Sequence, residues 1–207
     1  VIYPGTSLSA SGLAGLDFGP ARNLLKLFDP AAQDAWLDFS SVGPARPYSG
    51  FAVLIALKAD AILGVAPELA RDVVLANTDN IAGKFLIRYQ SGRPEMYLNG
   101  VAAFQGGNRI VAGDTVILAA NYNAATGALE FWDSAGGIAA KATVPAADFS
   151  SLKSMHLGGS TNPIQRMNGM IGEVKIYRGA LTAEQFASER EALATKWITG
   201  STGGYQA

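Results

Sequence analysis

Apolar and polar positions alternate in short runs through most of the chain, and glycine, proline, asparagine and aspartate separate the runs, as strands joined by turns require. The run FAVLIALKA, starting at Phe51, departs from alternation. It is almost continuously apolar, which predicts a central strand covered on both faces. Asp60 to Asp72 reads as a loop, because Pro67 interrupts any continuous helix there. Strands are predicted at Val73 to Ala76, Lys84 to Gln90 and Glu95 to Leu98, the last stopped by Asn99-Gly100, a pair suited to the positive dihedrals of a tight hairpin turn. Thr115 to Tyr122 and Ala128 to Asp133 form the clearest hairpin, around the polar turn Asn123 to Gly127. A turn at Ser134 to Gly137 leads to a strand at Ile138 to Val144, and a short strand follows at Met155 to Gly158. Met170 to Tyr177 sets Met170, Gly172, Val174 and Ile176 against Ile171, Glu173, Lys175 and Tyr177, predicting a strand of regular alternation in the sandwich core.

The period changes only near the end. Thr182-Ala183-Glu184-Gln185 fits a capping box, in which the threonine hydroxyl and the glutamine side chain each satisfy a backbone N–H at a helix start. Phe186, Leu193 and Trp197 then fall on one helical face, and Gly200 is the expected stop. The amino-terminal part, residues 1–48, is broken by Pro4-Gly5, Gly19-Pro20, Pro30, Gly43-Pro44 and Pro47 into short strands and loops; Asn23 to Phe28 fits a strand or a helical turn equally. The fold class is therefore all-β, an antiparallel β-sandwich with one short C-terminal α-helix. The expected division is one domain over residues 1–198, best supported over 50–198, and a loose tail over 199–207.

Composition narrows the partners. Twenty-four glycines and nine prolines among 207 residues agree with a turn-rich β architecture. Charged residues make up 16% of the chain, against roughly 25% in an average soluble domain, and apolar residues 49%. Small alanine side chains and a subunit interface both account for this, so a lone domain and an assembled one are both compatible with it. A formal net charge of −1, with no basic stripe, argues against a nucleic-acid partner. No apolar stretch approaches the ~20 residues a membrane helix needs. The chain has no cysteine, which removes disulfides, thiolate metal sites and a thiol nucleophile. Export by a signal peptide is neither indicated nor excluded.

The stretch MHLGGSTNPIQRMNGMIGEVKIYRGALTAEQ, from Met155 to Gln185, resembles the closing section of laminin-G-like domains of the concanavalin A-like superfamily, where a G-x-I-x-E-V-x-I-Y strand leads into A-L-[TS]-x-E. YLNG at 97–100 and the NYNAATGALEFWDSAG hairpin support it, and the resemblance covers about residues 50–198. It implies a concanavalin A-like jelly roll. GPARNLLKL at 19–27 looks more like bacterial and tailed-phage members, which implies a surface-exposed binding or decorating role, extracellular or on a virion.

Catalytic sets known from this fold are not visible. Glycan hydrolysis needs two carboxylates at a set separation, and no E-x-D-x-x-E pattern occurs; Glu95 and Glu130 read as solvent-facing strand residues. The sole histidine, His156, is preceded by Met155 rather than by the Gln-x-His segment of the fold's polysaccharide lyases, and reads as a locally packed or bonded side chain. No G-x-S-x-G elbow is present. Calcium is the metal most compatible with sandwich-edge loops. The loop candidates Asp72, Asp79, Asn80, Asp133 and Asn162 form no strict ligand pattern, so no metal or other cofactor is assigned.

Sugar binding needs an aromatic platform together with amides, carboxylates or guanidinium groups that meet hydroxyls. By alternation Arg88, Gln90, Glu95, Tyr97, Asn121, Glu130 and Trp132 lie opposite Phe85, Ile87, Met96, Leu98 and Phe131, and would form one polar sheet face carrying two aromatics. An ordinary outer face, with the tryptophan covered by a loop or neighbour, has the same pattern. The expected function is a non-enzymatic recognition or adhesion module that binds glycan. The alternative is a virion or envelope decoration subunit that binds a neighbouring protein, with a divergent glycan lyase or hydrolase ranked below both.

Overall fold

A computed structural model of the chain describes residues 5–8, 14–17, 25–26, 50–61, 71–77, 85–98, 101–105, 110–136, 138–144, 155–158 and 167–199. The strands are β1 (Gly5–Leu8), β2 (Ala14–Asp17), β3 (Leu25–Lys26), β4 (Gly50–Ala61), β5 (Arg71–Asn77), β6 (Phe85–Gln90), β7 (Arg93–Leu98), β8 (Val101–Gln105), β9 (Thr115–Asn123), β10 (Ala128–Asp133), β11 (Ile138–Thr143), β12 (Met155–Leu157) and β13 (Asn168–Arg178). Helix α1 (Ala183–Ala194) continues into a π-helical turn at Thr195–Thr199. Two antiparallel sheets result: seven strands in the order β1-β2-β13-β4-β9-β10-β11, and six in the order β3-β12-β5-β6-β7-β8.

The apolar run at Phe51 is β4, hydrogen-bonded to β13 on one side and β9 on the other. Phe51, Val53, Ile55 and Leu57 point into the core between the sheets, where they meet Val116, Leu118, Ala120 and Tyr122 of β9 and Ile87, Met96 and Leu98 of the six-stranded sheet. Leu54 and Ala56 point the other way and are just as buried, under Phe186, Leu193 and Trp197. Alanines at 56 and 119 keep this second face shallow, so a helix lies close against it. Gly50 starts β4 at φ +133°, and a Cβ there would collide with the Tyr122 carbonyl oxygen.

The expected hairpin from Thr115 to Asp133 forms, with Ala128 opposite Asn123 and Asp133 opposite Leu118. Within its turn, Asn123 Oδ1 accepts from the N–H groups of Ala125 and Thr126, at 3.0 and 3.3 Å. The open choice at 23–28 resolves toward a strand at Leu25–Lys26. The capping box at Thr182 is present: its hydroxyl accepts from Gln185 N–H at 3.2 Å, and Gln185 Oε1 accepts from Thr182 N–H at 3.0 Å. Asn99-Gly100 and Gly200 lie outside the described residues.

Strand β13 corrects one expectation. Its alternation is not regular, because a bulge between Ile171 and Glu173 shifts the register against β4. Ile171 faces the inner core and Met170 the helix side, yet beyond the bulge Val174 and Ile176 face the core while Glu173 and Tyr177 meet the helix side. The extra residue is Gly172, and a Cβ there would overlap the Trp197 ring. Glycine is what lets the indole lie flat on the bulge. Gly172→Ala is expected to lower stability by about 1–3 kcal/mol through overpacking; the urea midpoint of the variant measures it.

Candidate functional site

The seven residues expected to share one face are divided between the two sheets. Arg88 and Gln90 on β6 and Glu95 and Tyr97 on β7 lie on the outer side of the six-stranded sheet. Arg88 Nε donates to Glu95 Oε2 at 2.7 Å, and Arg88 Nη2 donates to Gln90 Oε1 at 3.1 Å and to Tyr97 Oη at 3.3 Å. The guanidinium carbon also lies 4.9 Å from the Tyr97 ring centre. Arg88 and Glu95 are only 5% and 7% exposed, which corrects the expectation of a solvated glutamate. Such a pair is held because its members satisfy one another. Its bonds run within the cluster and its two members are buried.

Asn121, Glu130 and Trp132 belong to the seven-stranded sheet, on the face that α1 partly covers. The Asn121 side chain bonds the Leu181 backbone twice, Nδ2 donating to its carbonyl oxygen and Oδ1 accepting from its N–H, both at 2.9 Å. This pins the segment that leads into the helix. Arg190 of α1 reaches back over the sheet: its Nη1 is 3.4 Å from Glu130 Oε1, and its guanidinium lies 5.1 Å from the Trp132 ring centre and 4.8 Å from that of Phe186. Trp132 is half-buried against the helix cluster. It acts as a seat for the helix and is not an open stacking platform.

Beside this covered area a groove of about 340 Å³ runs along β9, β10 and β11 under Ala180 and Leu181. Asn121 and Glu130 line it, joined by Asn123, Lys141 and Thr143. Lys141 faces Glu130 across the β10–β11 pairing, and Lys141 and Thr143 are exposed.

The helix is tied to β13 by charge as well as by apolar contact. Glu173 Oε2 accepts from Lys196 Nζ at 2.7 Å and from Trp197 Nε1 at 3.0 Å, and Lys175 Nζ donates to Glu189 Oε2 at 2.8 Å. Burial pushes the Glu173 carboxyl up, but the bonds from Lys196 and Trp197 outweigh it and hold the group below its usual range.

At the rim where β10 ends, Asp133 turns fully inward. Its Oδ1 accepts from Ala135 N–H at 2.9 Å, while among the described residues its buried Oδ2 has no hydrogen-bond partner, nor has the Tyr89 hydroxyl. Burial raises the Asp133 carboxyl, offset in part by the Ala135 bond. Burial, then the Asp133 and Asp114 charges, pushes the Tyr89 phenol well above its ordinary value. Of the calcium candidates, Asp133 is thus an interior turn-former and Asp72 lies on β5; Asp79, Asn80 and Asn162 lie outside the described residues. Among the described residues, no three His, Cys, Asp or Glu side chains cluster as metal ligands would. His156 pairs with Lys26 and Ala76 in β12 through its backbone.

No protein-family model matches the sequence, and no curated protein matches it. Solved structures do match. A heptameric SAP-like pentraxin from Limulus polyphemus aligns at 11% identity over 68% of this chain and 69% of its own, with a TM-score of 0.51. The CBM40 of a Ruminococcus gnavus IT-sialidase, bound to α2,3-sialyllactose, aligns at 14% over 69% and 83%, with a TM-score of 0.50. A putative carbohydrate-binding protein from Bacteroides ovatus aligns at 15% over 67% of this chain and 40% of its own, with a TM-score of 0.51. The fold is a concanavalin A-like jelly roll.

Within this jelly roll, Lys141, Asn123 and Thr143 were not among the sequence-derived candidates. The signal for Lys141 was nonetheless present: extending the β9–β10 hairpin through the Ser134 turn puts Lys141 opposite Glu130. Nothing local in the sequence indicated the Leu181 segment that roofs the jelly roll's groove, since its tie to Asn121 spans 60 residues.

Two pH effects of opposite sign follow. The Asp133 pKa is raised, so the stability it contributes is complete at acid pH and is lost as pH rises through the folded value. Asp133→Asn is expected to be more stable than the wild type at pH 7 by about 1–3 kcal/mol, the gap closing in urea titrations at acid pH. The Glu173 pKa is lowered, so its contribution is present at neutral pH and lost as pH falls through the folded value. Glu173→Gln is expected to lower the urea midpoint at pH 7 and to converge with the wild type in acid.

Proposed function

We propose that this jelly roll is a non-enzymatic carbohydrate-binding module whose sugar site is the groove along β9, β10 and β11. The observation that carries the reading is a solvent-open groove lined by an amide, a carboxylate, an ammonium and a hydroxyl, on a fold shared with a CBM40 solved with sialyllactose and with a putative carbohydrate-binding protein. Polar groups of this kind, fixed on strands, are what recognition of sugar hydroxyls requires. Two roofing contacts give the groove a set shape before any ligand arrives: the paired Asn121–Leu181 bonds and the Glu130–Arg190 contact. The proposed setting is extracellular, on a surface where glycans are met. The decorating-subunit reading draws on the low charge content, the GPARNLLKL segment and the tail, and of that segment the structure describes only Leu25–Lys26.

A glycan array followed by calorimetry on the purified chain tests the proposal. At least one glycan class is expected to bind, and Thr143→Trp, which fills the groove from an exposed edge-strand position, is expected to abolish that binding with the unfolding midpoint unchanged. Failure to bind any glycan, or the release of new reducing ends from a polysaccharide panel, would overturn it.

A further inference from the structure

The groove carries more positive charge than a site for neutral sugar hydroxyls requires. The Asn121 amide is held by the Leu181 backbone, one atom giving to it and the other accepting from it. The Glu130 carboxylate is turned toward Arg190, whose charge neutralises it. Asn123 has its oxygen occupied by the Ala125 and Thr126 N–H groups, which leaves its two amide N–H donors for the groove. Lys141 is exposed and forms no ion pair or hydrogen bond among the described residues, so its ammonium adds three more donors and one uncompensated positive charge. The open N–H donors of Asn123 and Lys141 therefore stand on the same groove, and the local balance of Lys141, Arg190 and Glu130 is one net positive charge.

We infer that the glycan this groove takes is anionic, its carboxylate or sulfate group meeting Lys141 Nζ with the Asn123 amide beside it. The inference rests on the reading of the groove as a sugar site and adds the chemical class of the sugar. A lysine on the edge strand of a sheet has a second explanation, protection against edge-to-edge pairing, since β11 ends the seven-stranded sheet. That role asks only for a charge on the edge. It does not account for the Asn123 amide donors and the Arg190-neutralised Glu130 on the same groove.

The test is calorimetry of the full chain with three probes: lactose, 3′-sialyllactose for a carboxylate, and 3′-sulfated lactose for a sulfate. At least one anionic probe is expected to bind about tenfold or more tightly than lactose, as a charge-assisted hydrogen bond supplies, and 0.5 M NaCl is expected to weaken it. The stronger of the two identifies the group. Lys141→Ala is expected to remove the preference and Lys141→Arg to retain it, with the unfolding midpoint and monomer fraction of both variants recorded. Equal or tighter binding of lactose, or an anionic preference that survives Lys141→Ala, overturns the inference while leaving the sugar-site proposal standing. A Lys141→Ala chain that keeps its preference but self-associates assigns the lysine to edge protection. If neither these probes nor any glycan on the array binds, both readings fall together.

Discussion

The seven-stranded sheet has to be covered on both faces, and the rest of the described structure follows from that. β4 places Phe51, Val53, Ile55 and Leu57 on one side and Leu54 and Ala56 on the other, all almost inaccessible to solvent. The first set is covered by the six-stranded sheet. The second would be an exposed apolar stripe if Phe186, Leu193 and Trp197 did not lie over it, and burying each such side chain contributes on the order of 1.5–3 kcal/mol. The C-terminal helix is thus a third layer of the fold. The bulge at Gly172, the small side chains at Ala56 and Ala119, and the bonds of Glu173 to Lys196 and Trp197 all fit the sheet to that layer.

Covering the sheet only in part creates the candidate site. The helix and its leading segment shield the strip over β4, β13 and part of β9, with Arg190 spread across Trp132 and Phe186. Beyond Leu181 the sheet reaches on to β11, and the step between covered and uncovered sheet is the groove. The same contacts that hold the helix down, Asn121 to Leu181 and Glu130 to Arg190, form its wall and offset the Glu130 charge. Stability and the charge balance of the groove are therefore linked through the same side chains.

The opposite sheet shows how an outward-facing polar cluster can be structural. Arg88, Gln90, Glu95 and Tyr97 meet the residue types a sugar site uses, but their hydrogen-bonding capacity is turned on each other and Arg88 and Glu95 are buried. Three of the five guanidinium donors go to a carboxylate, an amide and a phenol, and burial limits access to the rest. Residue type and face alone do not distinguish that arrangement from an open site. Partner geometry does.

Much of the local structure was legible in the sequence because strand period, turn chemistry and helix capping are short-range effects. The continuous run at Phe51, the Asn123 to Gly127 turn and the Thr182 capping box each state their structure within a dozen residues. The closing section around β13 likewise carried the jelly roll, although Gly172 hid a bulge, because a glycine fits regular and bulged strands alike. Alternation correctly set Arg88, Glu95, Asn121 and Glu130 away from the core, but every strand of both sheets has an outer side and the period is the same on each. Which strands share a sheet, which outer face the helix takes, and hence which of the seven candidates meet, depended on contacts 60 residues apart, and only the tertiary structure decided them.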